Sequence, residues 1–154
     1  MARVPASIRR LAYRVASRLL GVYRLVRRPT LHGVRCVLSR GDEVLLVRHT
    51  YGDVRWGLPG GLTRRRETPA ATARREMREE LGVDVAAWRD LGVIRYASPD
   101  RSRHVVTCLA APCPEGDPTP NEAEIAELGW FPVDELPGDE LTWTREIIRR
   151  AWRA

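Results

Sequence analysis

The sequence contains no lysine, so every one of its 26 basic residues is an arginine. It also has only three cysteines in 154 residues, and none of them stands in a C-x-x-C pair. This pattern argues against a disulfide framework and against a zinc site built from paired cysteines. No apolar run approaches the roughly 20 residues that a membrane-spanning helix requires, so the sequence does not indicate a transmembrane protein.

The positive charge is concentrated in one segment of the chain. The formal net charge is +6, but residues 1–29 contain eight arginines and no acidic residue. Residues 30–154 contain eighteen arginines and twenty acidic residues, which leaves them slightly negative. We therefore divide the chain into a basic segment, 1–29, and a domain, 30–154, and we do not expect the domain to bind nucleic acid.

The basic segment is predicted to form an amphipathic helix over residues 5–28, ending before Pro29. Its apolar positions recur at intervals of three and four: Ile8, Leu11, Val15, Leu19, Val22 and Val26. Three interpretations stay open. The helix packs on its own domain or on a second subunit as a dimer contact, it lies on an anionic membrane surface, or, least favoured, it contacts nucleic-acid phosphates. An arginine-rich, acid-free segment of this kind is also typical of a mitochondrial transit peptide.

The rest of the chain alternates between strand and helix patterns. Strands are predicted at 31–39, 43–48, 90–97, 103–110 and 125–131, with the turn Gly41-Asp42 joining the first two. Helices are predicted at 68–81 and 141–152, and the proline-rich stretch 111–120 is predicted to be a loop. This mixture indicates the α/β class, with a sheet covered by helices.

The helix at 68–81 carries three glutamates on one side: Glu76, Glu79 and Glu80. At spacings of three and four residues these carboxylates repel each other, and a hard divalent cation such as Mg²⁺ or Mn²⁺ would relieve the repulsion. The opposite stripe, expected to face the sheet, is Ala70, Ala73, Met77 and Leu81. An alternative is a solvated helix face whose glutamates are neutralised by neighbouring arginines.

The stretch from Gly61 to Val83 resembles the Nudix box, G-x5-E-x7-R-E-U-x-E-E-x-G-U with U apolar, at every defined position. Such a match arises by chance on the order of once per billion placements at average residue frequencies. The lead-in from Arg55 to Gly61 and the segment from Trp130 to Leu136 also resemble this family. The resemblance covers residues 30–154 and leaves the basic segment outside it.

The resemblance implies an α/β/α sandwich around a mixed sheet, and hydrolysis of a phosphoanhydride bond with Mg²⁺ or Mn²⁺. It implies that Glu79 and Glu80 bind the metal directly, that Glu76 is a third ligand or the general base, and that the carbonyl of Gly60 adds an oxygen. Glu67 and Arg75 are expected to pair and hold the loop against the helix. Gly61 and Gly82 are expected to support the shape of the box.

The implied mechanism is attack of water on phosphorus, with a carboxylate accepting its proton. The resemblance leaves two candidates for this base, Glu76 and Glu124, and Glu122 and Glu127 flank the second candidate closely. The catalytic residues expected from the resemblance are Glu76, Glu79, Glu124 and Arg75.

A small nucleotide substrate is expected, either a nucleoside triphosphate or a compound similar to ADP-ribose. Pro99, sixteen residues after Val83, resembles a position found in some ADP-ribose hydrolases, although a turn explains it equally well. Aromatic residues that could stack on a base are Tyr51, Trp56 and Tyr96, with core packing favoured for each. A cytoplasmic location is predicted, with contact at the inner membrane surface left open.

Two further functions stay open at this point. One branch of the family isomerises isoprenoid diphosphates, which requires a reactive cysteine and additional metal ligands. Other members keep the fold as non-catalytic binding modules, and these have degenerate boxes. The box in this sequence is intact, which favours a hydrolase.

Overall fold

A mixed five-stranded sheet organises the fold in the computed structural model, which describes residues 6–27, 29–99 and 101–153. The helices are α1 (Ala6–Arg27), α2 (Pro69–Leu81) and α3 (Thr144–Trp152). The strands are β1 (Thr30–Arg40), β2 (Glu43–His49), β3 (Arg89–Ala97), β4 (Arg103–Pro112) and β5 (Ile125–Pro132). They lie in the order β3-β4-β1-β2-β5, with β1 parallel to β4 and the other pairs antiparallel.

Both faces of the sheet are buried, because successive side chains of its central strands point to opposite sides. In β2, Leu45 and Val47 pack with Ala73, Met77 and Leu81 of α2. Their neighbours Val44 and Leu46 pack on the other face with Ile147 and Ile148 of α3. The predicted α/β/α sandwich around a mixed sheet is confirmed.

The first two strands pair only beside their turn and then diverge. Their antiparallel register is limited to Ser39 with Val44 and Arg40 with Glu43. Beyond these pairs, the segment 57–63 fills the gap between β1 and β2. The amides of Val34 and Cys36 on β1 donate to carbonyls of this segment, and Gly57 exchanges two hydrogen bonds with Val47 on β2. The loop before α2 is thus fixed on both sides.

Most predicted elements are confirmed, and three details differ. Helix α3 begins at Thr144 rather than 141, because Leu141 bonds to the carbonyl of Trp56 and the next residues form a turn. Strand β4 continues to Pro112, shortening the predicted loop. The prediction that Ala70 faces the sheet is wrong: Ala70 is exposed in the first turn of α2, and Thr72 is buried instead.

Helix α1 is present as predicted, while residues 1–5 and 28 of the basic segment lie outside the described residues. Five side chains of its predicted apolar stripe are not packed on the domain. They remain between 50% and 67% exposed at Ile8, Leu11, Val15, Leu19 and Val22. These five residues do not pack on the chain's own domain, whereas Tyr13 of the same helix stacks on Tyr51, so the helix does contact the domain. Packing on a second subunit and contact with a membrane stay predictions. No helix in the described part of the chain is both long and apolar enough to cross a membrane.

Candidate functional site

The ends of helix α2 are fixed by local sequence signals. The hydroxyl of Thr68 accepts a hydrogen bond from the amide of Ala71, and Pro69 occupies the first turn, where its missing N–H costs nothing. At the other end Gly82 adopts a left-handed conformation, with φ of 67°, and its amide donates to the carbonyl of Arg78. These caps fix where α2 begins and ends, and therefore where Glu76, Glu79 and Glu80 lie along the helix.

Two adjacent glycines bring the preceding loop against the strand and the helix. The amide of Val34 donates to the carbonyl of Gly61 at 2.9 Å, so the loop runs alongside β1. A Cβ atom at Gly60 would overlap the backbone of Val34, and a Cβ atom at Gly61 would overlap the carboxylate of Glu76. The close approach of loop, strand and helix therefore requires glycine at both positions.

Arg75 joins the loop to the helix. Its guanidinium binds both oxygens of Glu67, with Nε to Oε1 at 2.7 Å and Nη2 to Oε2 at 2.9 Å, and it donates to the carbonyl of Leu62 at 3.0 Å. The same group contacts Glu76 at 2.6 Å and Glu79 at 3.2 Å. The structure thus contains the expected pair of Glu67 and Arg75, and this pair holds the loop in place.

Glu80 is the most deeply buried acidic residue of the helix, with 3% of its surface exposed. Its Oε2 accepts a hydrogen bond from the amide of Gly60 at 3.0 Å. Burial, followed by the charge of Glu76, raises the pKa of Glu80 to about 8. Burial also raises the pKa of Glu76. The two carboxylates lie close enough to destabilise each other's ionised form.

Glu124 joins this pair from the segment before β5. Its charge contributes to the raised pKa values of both Glu76 and Glu80. Its Oε1 accepts hydrogen bonds from Asn121 Nδ2 at 3.0 Å and from the hydroxyl of Tyr13 at 2.9 Å. The flanking acids are placed differently: Glu122 is exposed, and Glu127 contacts Arg48 at 3.6 Å. Position therefore distinguishes Glu124 from its two neighbours.

Glu79 lies at the rim of this cluster. Its side chain is 44% exposed and is bound by Arg64 at 3.2 Å as well as by Arg75. The structure thus places Glu76 and Glu80 on the buried side of α2, with Glu124 near enough for its charge to act on both, and it places Glu79 between two arginines on the adjacent surface. Beside Arg64, a pocket of about 420 Å³ is lined by residues of the loop and of the neighbouring strands.

The donor set fits a hard divalent cation in its chemistry. Carboxylate oxygens are the ligands that Mg²⁺ and Mn²⁺ prefer, and Glu80 is a buried acid that no arginine of the described residues contacts as an ion pair. In the described residues no three acidic, histidine or cysteine side chains converge on one point. The carbonyl of Gly60 accepts a hydrogen bond from Arg35 at 3.0 Å. The metal-binding residues therefore stay a prediction.

Three residues that no sequence motif indicates for the site contact candidate site residues: Tyr13, Arg35 and Asn121. Tyr51 was a candidate for stacking on a base, and its ring stacks on that of Tyr13, with centroids 5.4 Å apart. Burial and the nearby charges of Glu124, Glu80 and Glu76 raise the pKa of Tyr51, so this residue lies close to the acidic side chains. Only the folded arrangement reveals these contacts, because the residues are far apart in the sequence.

The other aromatic candidates have packing roles. Trp56 packs edge-on against Phe131, with centroids 4.9 Å apart, and lies under the guanidinium of Arg48. Tyr96 stacks between His104 and Trp143. Neither ring is among the groups that contact the glutamates in the structure.

Comparison with known proteins identifies the family. A model of the NUDIX domain matches residues 29–151. An 8-oxo-(d)GTP phosphatase of Mycolicibacterium smegmatis is 36% identical over 111 residues, which are 71% of this chain and 33% of that protein. An ADP-ribose pyrophosphatase of Mycobacterium tuberculosis is 37% identical over 91 residues, covering 57% of this chain and 44% of that protein. The chain thus spans a third to a half of the length of these two curated relatives.

Solved structures agree with this assignment. A MutT NUDIX hydrolase from Burkholderia pseudomallei superposes with a TM-score of 0.73 and 26% identity, covering 79% of this chain and 97% of that one. A MutT protein from Methanosarcina mazei Go1 gives a TM-score of 0.71 at 19% identity, with 80% and 94% coverage, and this second likeness bears on the fold alone.

Proposed function

Because this chain belongs to the Nudix hydrolase family, we propose that it is a Mg²⁺- or Mn²⁺-dependent pyrophosphohydrolase that cleaves a phosphoanhydride bond in a small nucleoside diphosphate derivative. The observation that carries this proposal is the burial of two acids of α2, Glu76 and Glu80, against the loop at Gly60 and Gly61, with Glu124 near enough for its charge to raise the pKa of both. A divalent cation beside these partly buried acids would stabilise their ionised forms.

Glu76, Glu79 and Glu80 would hold the cation, with the carbonyl of Gly60 as a further donor once Arg35 releases it. When bound, the cation neutralises phosphate oxygens and lowers the pKa of the attacking water. For Glu79 this role requires its carboxylate to leave Arg64, which is an exposed contact and therefore weak. Arg75 contributes by fixing the orientation of Glu76 and the position of the loop.

We assign the proton acceptor to Glu124 rather than to Glu76. Glu76 is already engaged by the guanidinium of Arg75 at 2.6 Å and is one of the residues that would hold the cation. The groups that donate to Glu124, from Asn121 and Tyr13, are neutral. Glu124 would remove a proton from water as the oxygen attacks phosphorus and the anhydride oxygen departs with its electron pair.

The relatives suggest two substrate classes to test first, because one is named for 8-oxo-(d)GTP and another for ADP-ribose. Pro99 does not favour the second. It lies exposed in the turn between β3 and β4, where the amide of Ser98 bonds to the carbonyl of Ser102, and the turn accounts for it. The substrate panel therefore includes nucleoside triphosphates, their oxidised forms, ADP-ribose and sugar nucleotides.

The experiment measures phosphate or nucleotide release from this panel with Mg²⁺, with Mn²⁺ and with a chelator. We expect turnover that stops in the chelator, and a loss of about 100-fold or more in Glu79→Gln and Glu80→Gln, a range typical of lost metal or base chemistry. Glu124→Gln should also lose most of the rate, because no carboxylate would then remain at that position to accept the proton of the attacking water. Glu127→Gln is the matched control, since Glu127 is an exposed acid nearby, and it should keep wild-type turnover.

Cation-independent activity, or wild-type rates in Glu80→Gln, would contradict the proposed mechanism. The isomerase alternative is not favoured, because it requires a reactive thiol. Cys36 and Cys108 are buried, and burial raises the pKa of both. Cys113 is partly exposed, and its pKa is also raised by burial.

A further inference from the structure

The exposed side of α1 is an apolar surface outside the candidate active site. We call its five residues the apolar stripe: Ile8, Leu11, Val15, Leu19 and Val22. All five are at least half exposed, with fractions between 50% and 67%. Large aliphatic side chains at helical spacing form a continuous surface, and a surface of this kind generally marks a binding site.

The contact between α1 and the domain directs the apolar stripe away from the protein. Tyr13 stacks on Tyr51 at an interplanar angle of 4°, and its hydroxyl bonds to Glu124. With 3.6 residues per turn, Tyr13 lies about 160° around the helix from the middle of the apolar stripe. While Tyr13 keeps this contact, the domain cannot cover the stripe.

The charge of α1 indicates what kind of partner covers the stripe. The helix contains six arginines and no acidic residue, and Arg14 and Arg18 are exposed. Two copies of α1 packed together would bring twelve positive charges close to each other without any acid between them. This repulsion disfavours a second copy and favours an anionic partner.

Among anionic partners, a membrane surface would bind both the apolar stripe and the arginines of α1. Nucleic acid would contact the arginines through its phosphates but would leave Leu11 and Leu19 in water. A bilayer with anionic lipids accepts the aliphatic side chains at the boundary of the acyl chains, and its headgroups attract the arginines. The length of α1, 22 residues, is typical of helices that lie in the plane of a membrane surface.

We propose that α1 binds the surface of an anionic phospholipid bilayer, with the apolar stripe inserted between headgroups and the arginines bound to lipid phosphates. The helix lies flat and does not cross the membrane. Because Tyr13 connects α1 to Glu124, the candidate active site is held next to the bilayer. This inference rests on α1 and does not depend on the proposed hydrolysis.

The test is co-sedimentation of the full chain with vesicles of phosphatidylcholine alone and of an equimolar mixture of phosphatidylcholine and phosphatidylglycerol. We expect binding to the mixed vesicles, at least about tenfold weaker binding to the neutral ones, and weakening by salt. Leu11→Glu combined with Leu19→Glu should reduce binding to the mixed vesicles by at least about tenfold. Arg14→Gln combined with Arg18→Gln should also reduce it.

A matched control separates the apolar contribution from the charge. Val54→Glu combined with Val93→Glu introduces the same two negative charges at exposed aliphatic positions outside α1, and it should bind like wild type. Far-UV circular dichroism and thermal unfolding without lipid establish that each variant is folded. If Leu11→Glu with Leu19→Glu binds the mixed vesicles as well as Val54→Glu with Val93→Glu does, the proposal is overturned. Charge alone would then explain the result.

Two other outcomes would also overturn it. If light scattering shows a dimer that Leu11→Glu with Leu19→Glu converts to a monomer, a second copy covers the stripe. If the full chain binds duplex DNA but not the mixed vesicles, and the same variant keeps that binding, the partner is a nucleic acid recognised by the arginines.

Discussion

The amide of Gly60 donates a hydrogen bond of 3.0 Å to Oε2 of Glu80, a residue twenty positions further along the chain. This bond joins the glycine loop to the most buried acid of α2, so the loop and the helix adopt one arrangement together. A group that binds to Glu80 therefore also stabilises the loop. Binding of the proposed cation should be measurable as a change in stability, independently of any substrate.

The first prediction concerns this link. Mg²⁺ or Mn²⁺ should raise the melting temperature of the wild-type protein, because the cation binds the folded state and not the unfolded chain. In Glu80→Gln the increase should be lost, while the melting temperature without cation should be equal or higher, because a costly buried acid is removed. Differential scanning calorimetry with Glu127→Gln as control measures both effects. An undiminished shift in Glu80→Gln would exclude Glu80 as a ligand.

The second prediction separates the two glycines. Gly60→Ala should cost about 2 kcal/mol or more of unfolding free energy, because φ is 140° and the new Cβ overlaps the backbone of Val34. Gly61→Ala should cost less, because the overlap is with the carboxylate of Glu76, but should reduce turnover at least about tenfold. Gly138→Ala is the control, since nothing lies near its Cβ position. Urea titrations measure the loss of unfolding free energy, and rate assays measure the loss of turnover. A larger loss of unfolding free energy in Gly61→Ala than in Gly60→Ala would contradict this prediction.

The third prediction concerns the pair of Glu67 and Arg75. The Arg75 guanidinium lowers the pKa of Glu67 to about 2, compared with 4.5 for an ordinary glutamate. The stabilisation from this shift is complete above about pH 4.5 and is lost as the pH falls towards 2. The stability of Glu67→Gln should therefore decrease less than that of wild type over this interval. If the unfolding free energies of wild type and Glu67→Gln change with pH in the same way, the pair does not contribute this pH-dependent stabilisation.

Arg75→Lys tests the geometry of the same pair, and this is the fourth prediction. A lysine keeps the charge but cannot bind both oxygens of Glu67 and the carbonyl of Leu62 with one planar group. We expect a loss of about 1–3 kcal/mol of stability together with slower turnover. Arg74→Lys is the control, because Arg74 forms an exposed pair with Asp84. Full activity in Arg75→Lys would mean that charge alone is sufficient.

The fifth prediction concerns the cysteines. Cys113 is the only partly exposed thiol of the three, while Cys36 and Cys108 are buried in the two cores of the sandwich. A thiol reagent should therefore modify one residue in the folded protein and all three after denaturation. Mass spectrometry of digested samples identifies the modified positions. Rapid modification of Cys36 in the native protein would contradict the packing described for β1.

The sequence was sufficient for those features that depend on local signals or on the motif. The caps at Thr68 and Gly82 placed α2 to within a residue, and the Val- and Leu-rich run at 43–48 predicted strand β2. Glu124 could not be separated from Glu122 and Glu127 in this way, because the choice depends on how the segment before β5 folds back onto α2. This is a relationship between distant segments.

The contacts of α1 could not be predicted from the sequence either. Its periodicity predicted the apolar stripe but not the direction in which the stripe faces, which is determined by the stacking of Tyr13 on Tyr51. The misplacement of Ala70 has a similar origin: it lies in the first turn, before α2 reaches the sheet, and Thr72 takes the inner position and bonds to Glu67. Periodicity describes a helix, whereas its neighbours decide which side is covered.

The parallel pairing of β1 with β4 has a consequence for biosynthesis. Thr30 is opposite Arg103 and Ser39 is opposite Pro112, so the middle of the sheet joins two stretches made at very different times during translation. A nascent polypeptide that has not yet reached residue 103 already contains all of α2 but exposes a bare edge of β1. Premature termination in this interval should yield products that are prone to aggregation and proteolysis rather than a smaller enzyme.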